Sequence, residues 1–537
     1  MLHKKKSLKK TLQSSVPLLL TIFALFVLKI FLITFFCQAL PLSKTSLVYN
    51  VFRFLMNIFL TFLWFWIIFT LCRNHHYREI TGRTFSKDKK KYYTYSYREL
   101  LEYFNLASAE PHKLDTSDFP KISWKEAENY FIFGTQKKRL ICVDAFCESN
   151  ILVSGPPGSF KTSGVIIPNA LRFPGSILAI DIKSDIYNFC KGKREIVRFC
   201  PDSPTALQDS AHFNPFAGIN EMNIADKKLF VEHIALILIP DSCSGDAAIY
   251  FTSRARKAMC GIIFLLLERA PQHNLSFPDF VHATLSKDLF YWTKEALKEA
   301  STEAFEYLAS FANNNEKNLS GVYDALCNAL LGFSNPVLDE LLCDNGNCIS
   351  ISMLEQGKNI FLQISQEHLQ TSYANLLTLV MQTFSDAFSR RPDLSTGAKL
   401  RPILCLCDEF PALTFSADLI TTALSTHRSK GIIWCLAIQN LSQLQARYGQ
   451  TGTRTILGNA NYQAILSSND LDSSTYWSRL FGTKKVLKIT DSESGRSISE
   501  TKEPVFCPED FSDLGSEMIL YYKGKYCRCK KINCYKS

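Results

Sequence analysis

The fold class can be inferred from one segment, Asn150-Ile-Leu-Val-Ser-Gly-Pro-Pro-Gly-Ser-Phe-Lys-Thr162. Its apolar start is typical of a short buried strand, and the residues after it are typical of a helix. Between the two lies G-x4-F-K-T, which differs at one position from the phosphate-binding loop G-x4-G-K-[ST]. The spacing therefore predicts a strand, a tight turn and a helix whose N-terminus faces an anion.

The residue types in this loop fit nucleotide binding. Gly155 and Gly158 allow backbone N–H groups to turn toward phosphate oxygens, Lys161 brings a positive charge to the β- and γ-phosphates, and the Thr162 hydroxyl can bind Mg²⁺. Phe160 stands where the motif has glycine. Its ring is expected to point away from the phosphates into an apolar wall; the less favoured alternative is a distorted loop that has lost its affinity for nucleotide. The predicted nucleotide-binding residues are Gly155, Pro156, Pro157, Gly158, Ser159, Phe160, Lys161 and Thr162.

A second apolar strand, 403–407, ends in Asp408 and Glu409. Asp408 is predicted to hold Mg²⁺, directly or through water, and Glu409 to polarise the attacking water as general base. An apolar run ending in two acids is a weak signal alone, but it becomes informative after a phosphate loop in the same chain.

Two further strands frame the predicted site. The strand 432–438 ends in Gln439, which is expected to sense the γ-phosphate from a neighbouring strand. Arg428 precedes that strand and is interpreted either as an arginine finger acting on a neighbouring subunit or as a cation in the last turn of a helix. The strand 177–180 is expected to lie beside the phosphate-loop strand.

Charge and hydropathy set the N-terminal region of the chain apart. Residues 16–40 and 47–72 are nearly all apolar, and each run is long enough to cross a hydrocarbon core of about 30 Å. Residues 1–100 carry 16 Lys and Arg against three acids, a net charge of +13, whereas the whole chain has +10. The remaining residues are therefore slightly negative. The positive-inside rule then predicts a transmembrane hairpin with both ends in the cytoplasm.

The rest of the composition excludes other classes. The chain has 537 residues, of which 47% are hydrophobic and 20% charged, which is unlike a disordered or collagenous protein. Its 18 cysteines lack the regular spacing of a disulfide-rich secreted domain and are expected to be reduced thiols. A zinc site at Cys527, Cys529 and Cys534 is the less favoured alternative, because their spacing lacks the usual C-x2-C pair.

Taken together, the sequence resembles the coupling-protein ATPases of type IV secretion and conjugation, the TraG-type family. The resemblance covers most of the chain and rests on the order and joint presence of its elements. Besides the hairpin these are residues 155–169, 180–185, Phe213-Asn-Pro-Phe216, Cys407-Asp-Glu-Phe-Pro411, Arg428-Ser-Lys-Gly431 and Ile438-Gln-Asn-Leu-Ser-Gln443. Phe160 is the departure, and it puts the rate of hydrolysis in question.

The resemblance implies an α/β RecA-like P-loop nucleotide-binding domain with an inserted all-α domain, preceded by a two-helix transmembrane hairpin. Helical periodicity between residues 220 and 342 agrees with the insertion. The expected segments are a basic tail 1–15, the hairpin 16–72, a basic juxtamembrane linker and lead-in 73–145, a first nucleotide-binding segment 146–219, the helical domain 220–348 and a second nucleotide-binding segment 349–537.

The family resemblance also implies the function. It predicts a two-pass protein of the bacterial inner membrane that binds ATP and Mg²⁺ and forms a homo-oligomer, most simply a hexamer. This protein would recruit a relaxase–DNA complex or an effector protein to components of a type IV secretion channel and use ATP to drive transfer. The alternatives are an FtsK-type DNA translocase and a non-hydrolysing membrane docking receptor, in which Phe160 has disabled catalysis.

Overall fold

A computed structural model describes residues 129–534, apart from 137–138, 242–244, 271–274, 300–301, 313–315, 370 and 493–494, together with helical residues between 51 and 61. The chain forms two compact units, 1–100 and 101–537. The predicted basic tail, most of the predicted hairpin and residues 73–128 of the predicted linker lie outside the described residues. The end of the predicted linker is described from residue 129 onward, and it contains two strands. Within the described residues, no helix is both long and apolar enough to cross a membrane.

The second unit is built on an eleven-stranded mixed sheet. Its strands are β1 (Tyr130–Gln136), β2 (Arg139–Asp144), β3 (Ile151–Ser154), β4 (Ser176–Ile180), β5 (Ile196–Phe199), β6 (Asn359–Leu362), β7 (Ile403–Cys407), β8 (Ile432–Ile438), β9 (Tyr462–Ile465), β12 (Glu517–Tyr522) and β13 (Lys525–Lys530). Strands β10 (Thr483–Ser492) and β11 (Gly495–Pro504) form a separate antiparallel hairpin. The order in the large sheet is β2-β1-β13-β12-β9-β3-β8-β7-β4-β6-β5.

Seven neighbouring strands, from β9 to β5, run parallel. Strands β3, β4, β7 and β8 are buried along their whole length, as expected when helices cover both faces of a parallel sheet. Alternate residues of one strand enter different cores. Leu404 and Leu406 pack on one face, and Cys405 and Cys407 on the other. The remaining strands β12, β13, β1 and β2 extend the sheet in antiparallel fashion.

Fifteen α-helices of four or more residues are described in the second unit. They are α1 (Ile167–Arg172), α2 (Asp185–Cys190), α3 (Ala206–Asp209), α4 (Ile224–Leu238), α5 (Asp246–Arg269), α6 (Phe277–Ser286), α7 (Leu289–Glu299), α8 (Thr302–Leu308), α9 (Glu316–Leu330), α10 (Pro336–Leu341), α11 (Ile351–Glu355), α12 (Ser372–Ser389), α13 (Ala417–Thr426), α14 (Leu441–Asn459) and α15 (Leu471–Phe481). Between β5 and β6 the described chain contains helices and an isolated β-bridge, His212 with Cys348, but no strand, and α4 to α10 form the helical insertion. The segment boundaries expected from the sequence stay predictions.

The insertion packs on aromatic side chains at its entry. Phe216, from the Phe213–Phe216 motif, meets the rings of Phe277 and Phe280 at centroid distances of 5.7 and 5.8 Å. The Asn214 side chain accepts a hydrogen bond from the backbone N–H of Phe216 at 3.1 Å. This motif therefore shapes the junction between sheet and insertion.

One strand neighbour differs from the expectation. Strand β4 lies between β7 and β6, whereas the phosphate-loop strand β3 lies between β8 and β9. The prediction that 177–180 lies beside β3 is therefore wrong. All these strands are short and uniformly apolar, so nothing in their composition distinguishes one parallel neighbour from another.

Candidate functional site

The phosphate loop follows β3 and leads directly into a helix. Residues Thr162–Ile166 form one π-helical turn that continues into α1. A Cβ atom on Gly155 would approach the Ser159 Oγ to 2.4 Å, so the close loop requires glycine there. Gly158 has a φ of +78°, the left-handed region that glycine reaches without strain. The predicted strand, turn and helix are confirmed.

Phe160 has a backbone conformation that glycine adopts more readily than other residues. Its φ is +73°, and a left-handed conformation costs a non-glycine residue about 1–2 kcal/mol. The side chain is 46% exposed, so the expected apolar wall around the ring is absent and that prediction is wrong. The loop thus keeps the course of a phosphate-binding loop, because the strain is accepted in the backbone and the ring is turned outward.

The ammonium group of Lys161 is turned back onto its own loop. Nζ donates hydrogen bonds to the carbonyl oxygens of Gly155 at 2.6 Å and of Pro156 at 3.1 Å. Burial lowers the pKa of Lys161, and the negative charges of Asp408 and Glu409 oppose that shift. A phosphate oxygen carries negative charge, so it attracts the ammonium more strongly than a neutral carbonyl oxygen does.

Thr162 and Asp408 meet as the sequence predicted. The Thr162 hydroxyl donates to Asp408 Oδ2 at 3.0 Å. Asp408 is buried, and its Oδ1 atom has no hydrogen-bond partner. Burial raises the pKa of Asp408, while the Thr162 hydrogen bond lowers it. An unpartnered buried carboxylate oxygen beside a hydroxyl fits a hard divalent cation that retains water and phosphate ligands.

Glu409 directly follows Asp408 and is held by a cation. Its backbone is left-handed with a φ of +54°, and its carboxylate forms an ion pair with the ammonium of Lys183. The Glu409 side chain is only 13% exposed, whereas that of Lys183 is 51% exposed. Sequence reasoning gave Lys183 no role, although its place just after a buried strand in Asp181-Ile-Lys183 was a usable signal.

Asp181 is a second buried acid at this edge of the sheet. It follows β4 and is fully buried; Oδ2 accepts from the Tyr187 N–H at 2.7 Å, and Oδ1 has no partner. Burial raises its pKa to about 6, and the nearby charge of Asp408 adds to the shift. The sequence showed only a strand ending at this residue, and its proximity to Asp408 depends on the pairing of β4 with β7.

Gln439 lies beside the entrance of the phosphate loop. It follows β8, whose last residue Ile438 pairs with Ser154, and the Gly155 N–H donates to the Ile438 carbonyl at 3.2 Å. The Gln439 Oε1 atom accepts from the Gln443 Nε2 at 3.5 Å. The place of Gln439 agrees with the predicted γ-phosphate sensor, while the role itself stays a prediction.

Arg428 lies away from the phosphate loop of its own chain. It is exposed in a 3₁₀ turn, His427–Lys430, before the amino end of β8. Seven residues separate that turn from the carboxyl edge, or about 23 Å at the usual rise per residue. The structure therefore brings Lys161, Thr162, Asp408, Glu409 and Gln439 to one edge and leaves Arg428 at the other.

No group of three or more His, Cys, Asp or Glu side chains that could hold a metal ion occurs among the described residues. A cation here would thus rely on Thr162, Asp408, water and phosphate oxygens, which is the usual mode for Mg²⁺. Cys527, Cys529 and Cys534 are free thiols.

Comparison with known proteins gives a consistent result. A family model described as Type IV secretory system Conjugative DNA transfer matches residues 112–537. Protein VirD4 of Agrobacterium fabrum is 24% identical over 399 residues, covering 72% of this chain and 58% of VirD4. The conjugal transfer protein TraG of the same species is 24% identical over 444 residues, covering 77% of this chain and 65% of TraG. The chain thus spans less than two thirds of the length of either relative.

Solved structures show the same fold. The plasmid coupling protein TrwB, in complex with the ATP analogue ADPNP, superposes with a TM-score of 0.57 at 17% identity, covering 79% of this chain and 93% of TrwB. TrwB in complex with ADP and Mg²⁺ gives a TM-score of 0.56 at 16% identity, with coverage of 79% and 93%. The predicted RecA-like P-loop fold with a helical domain is thereby confirmed.

Proposed function

The chain belongs to the Type IV secretory system Conjugative DNA transfer family, and from this membership we propose that it is a membrane-anchored coupling ATPase. In this proposal it recruits a relaxase-bound DNA strand or an effector protein and passes it to components of a type IV channel. ATP turnover drives the transfer. The family model matches residues 112–537, which include the phosphate loop and both acids on which the proposal depends.

One observation carries the ATPase proposal: a phosphate loop and two carboxylates from distant regions of the sequence meet at one sheet edge. Lys161, Thr162, Asp408 and Glu409 converge there, and Thr162 already contacts Asp408. Lys161 exchanges its loop carbonyls for β- and γ-phosphate oxygens, and Glu409 takes a proton from the attacking water. Thr162 and Asp408 would hold Mg²⁺, which neutralises charge between the phosphates when bound.

ATP turnover by the full-length chain in detergent tests this function, with and without single-stranded DNA. We expect slow turnover in the native chain. In Lys161→Ala, turnover should fall at least 100-fold, because the positive charge of the lysine no longer stabilises the transferring phosphoryl group. Glu409→Gln should bind ATP but turn it over at least 100-fold more slowly. Lys193→Ala, an exposed lysine outside the site, is the matched control.

A native chain as inert as Lys161→Ala, with no ATP binding by either protein, would contradict the ATPase proposal. The docking receptor would then be the better interpretation, and Phe160 would be the residue to change first.

We also propose a ring of subunits, most simply a hexamer, in which Arg428 acts on the nucleotide of a neighbour. Its exposed place at the edge opposite its own phosphate loop supports action between subunits rather than within one. Mixing Arg428→Ala and Glu409→Gln subunits should restore some of the native turnover, since some interfaces then hold both intact groups. Mixed rings as inactive as either parent would assign Arg428 to the turn that it occupies.

The proposed location is the bacterial inner membrane, with two spans and most of the chain in the cytoplasm. Support comes from the sequence alone: the apolar runs 16–40 and 47–72, and the Lys and Arg residues that flank them. A reporter fused after residue 90 should be active only in the cytoplasm.

A further inference from the structure

The pairing of Lys183 with Glu409 joins the ends of two neighbouring strands. Strand β4 ends at Ile180, which pairs with Cys407 at the end of β7. Lys183 and Glu409 follow those ends by three and two residues, and their side chains form an ion pair. A cation is thus bound to the residue that the proposed mechanism needs as a free base.

The turn that carries Lys183 is built to hold that position. Ser184 has a left-handed φ of +60°, and its hydroxyl accepts a hydrogen bond from the Gln363 side chain at 2.8 Å. Gln363 is itself buried, and its Oε1 atom accepts from the guanidinium of Arg198. Backbone strain of this kind persists where surrounding contacts over-determine it, and it is concentrated at functional sites.

Lys183 also acts on the same groups as the phosphate-loop lysine. Its charge lowers the pKa of Lys161, adding to the larger effect of burial. It opposes the rise in the pKa of Asp408 that burial causes. The charges of two ammonium groups therefore act on one acidic pair, where the proposed function places a triphosphate.

We propose that Lys183 senses the γ-phosphate: without nucleotide it holds Glu409, and with ATP it moves to a γ-phosphate oxygen and frees Glu409 to act as base. The inference rests on the proposed function, since it concerns the same nucleotide site. The physical reason is competition. A γ-phosphate carries more negative charge than one carboxylate, whereas ADP offers no group at that place and leaves the ion pair intact.

The test compares a non-hydrolysable ATP analogue with ADP, each with Mg²⁺, by calorimetric titration of the full-length chain. Lys183→Met should weaken the analogue about tenfold, as expected for one lost charge-assisted contact, and leave ADP within twofold. Lys183→Arg keeps the charge and should retain most of the preference. Lys193→Met, which changes an exposed lysine in the turn after α2, serves as the control.

Glu409→Gln tests the exchange of partners. In the native background it should tighten binding of the analogue, because Lys183 no longer has a competing carboxylate. In the Lys183→Met background the same change should tighten it much less, and the difference between the two backgrounds measures the coupling.

Three results would overturn the inference. Lys183→Met could leave the ratio of the two affinities unchanged, it could weaken both nucleotides equally, or Glu409→Gln could act alike in both backgrounds. A native chain that binds neither nucleotide is a different failure: it removes the proposed function, and this inference with it.

Discussion

The carboxyl edge of the parallel sheet and the helical insertion follow different structural rules. Three of the five described non-glycine residues with positive φ, Phe160, Ser184 and Glu409, lie at the sheet edge, and none lies between α4 and α10. Unpartnered buried oxygens of Ser159, Asp181 and Asp408 lie at the same edge. Strain and unused acceptors are thus concentrated where a ligand is proposed, as expected for a site whose partners arrive from solution.

The insertion instead has the features of an ordinary hydrophobic core with a charged surface. Its buried side chains are mainly Leu, Ile, Phe and Ala, and its charges lie outside in pairs such as Lys228 with Glu306 and Arg269 with Glu295. Among its described residues, the buried side-chain atoms without a hydrogen-bond partner are the donors Arg254 Nε and Trp292 Nε1. The Arg254 guanidinium lies 4.5 Å from the centroid of the Phe311 ring, so packing accounts for its place. The contrast predicts that a core substitution in the insertion mainly lowers stability, whereas a substitution at the sheet edge also changes the pH dependence of stability or the turnover of ATP.

The largest expected effect comes from the core of the insertion. Phe277 in α6 is fully buried and packs against Phe216 and Phe333. Phe277→Ala should lower the free energy of unfolding by about 3–5 kcal/mol, because a cavity replaces the ring. Denaturant unfolding measures this loss, and nucleotide affinity of the folded protein should stay within twofold.

Phe290→Ala is the matched control, since Phe290 is 51% exposed on α7 and its loss should change stability by about 0.5 kcal/mol or less. A large fall in nucleotide affinity of folded Phe277→Ala would break the comparison, because it would couple the insertion to the sheet edge.

The next effect depends on pH and comes from Asp181. Its pKa is raised to about 6 from an ordinary 3.8. At a pH between these two values, the carboxyl group is protonated in the folded state and ionised in the unfolded state. Asp181 therefore favours folding below about pH 4, and that contribution is lost as pH rises toward 6 and above. Each pKa unit corresponds to about 1.4 kcal/mol.

Asp181→Asn mimics the protonated acid and can still accept from the Tyr187 N–H. Without nucleotide, the variant should gain stability relative to the native chain between pH 4.5 and 7.5, as measured by thermal unfolding. A stability difference independent of pH would show that Asp181 is charged in the fold and that burial does not dominate its pKa.

How far the sequence predicted the site follows from which contacts are local. The loop from Gly155 to Thr162 is one continuous segment, so glycine spacing and the Lys-Thr pair were sufficient. Asp408 and Glu409 could be placed because parallel strands end at a shared edge. The ion pair of Lys183 with Glu409 could not be predicted, because it requires β4 to lie beside β7. The sequences of uniformly apolar strands do not indicate which strands are neighbours.

The antiparallel part of the sheet, formed by β12, β13, β1 and β2, was not predicted, for a related reason. Strand β1 pairs with β13, nearly 400 residues further along the chain, through Thr135 and Lys530. Asn169, the last residue of the motif 155–169, joins α1 to β1 by accepting from the Ile132 N–H at 2.6 Å and donating to its carbonyl at 2.7 Å. A buried amide that pairs with a distant backbone leaves no periodicity for sequence analysis to detect.

The smallest expected effect concerns Phe160 at the sheet edge. Its left-handed backbone is strained, and the glycine that is usual in the phosphate-loop motif would avoid this strain. Phe160→Gly should relieve about 1–2 kcal/mol of left-handed strain, but it also frees the unfolded chain, which costs about 0.4–1 kcal/mol. Stability should therefore rise by about 1 kcal/mol or less. Turnover of ATP should rise about threefold, because glycine lets the loop adjust to the phosphates without left-handed strain.

Gly158→Ala is the matched opposite. An added Cβ there has no atom within 4 Å, yet φ is +78°, so the change introduces strain without a clash. It should lower stability by about 1 kcal/mol and slow turnover. If Phe160→Gly is no faster than the native chain while Gly158→Ala is slower, the loop already has its working course with phenylalanine in place, and the slow step lies elsewhere, with release of Glu409 from Lys183 as the next candidate.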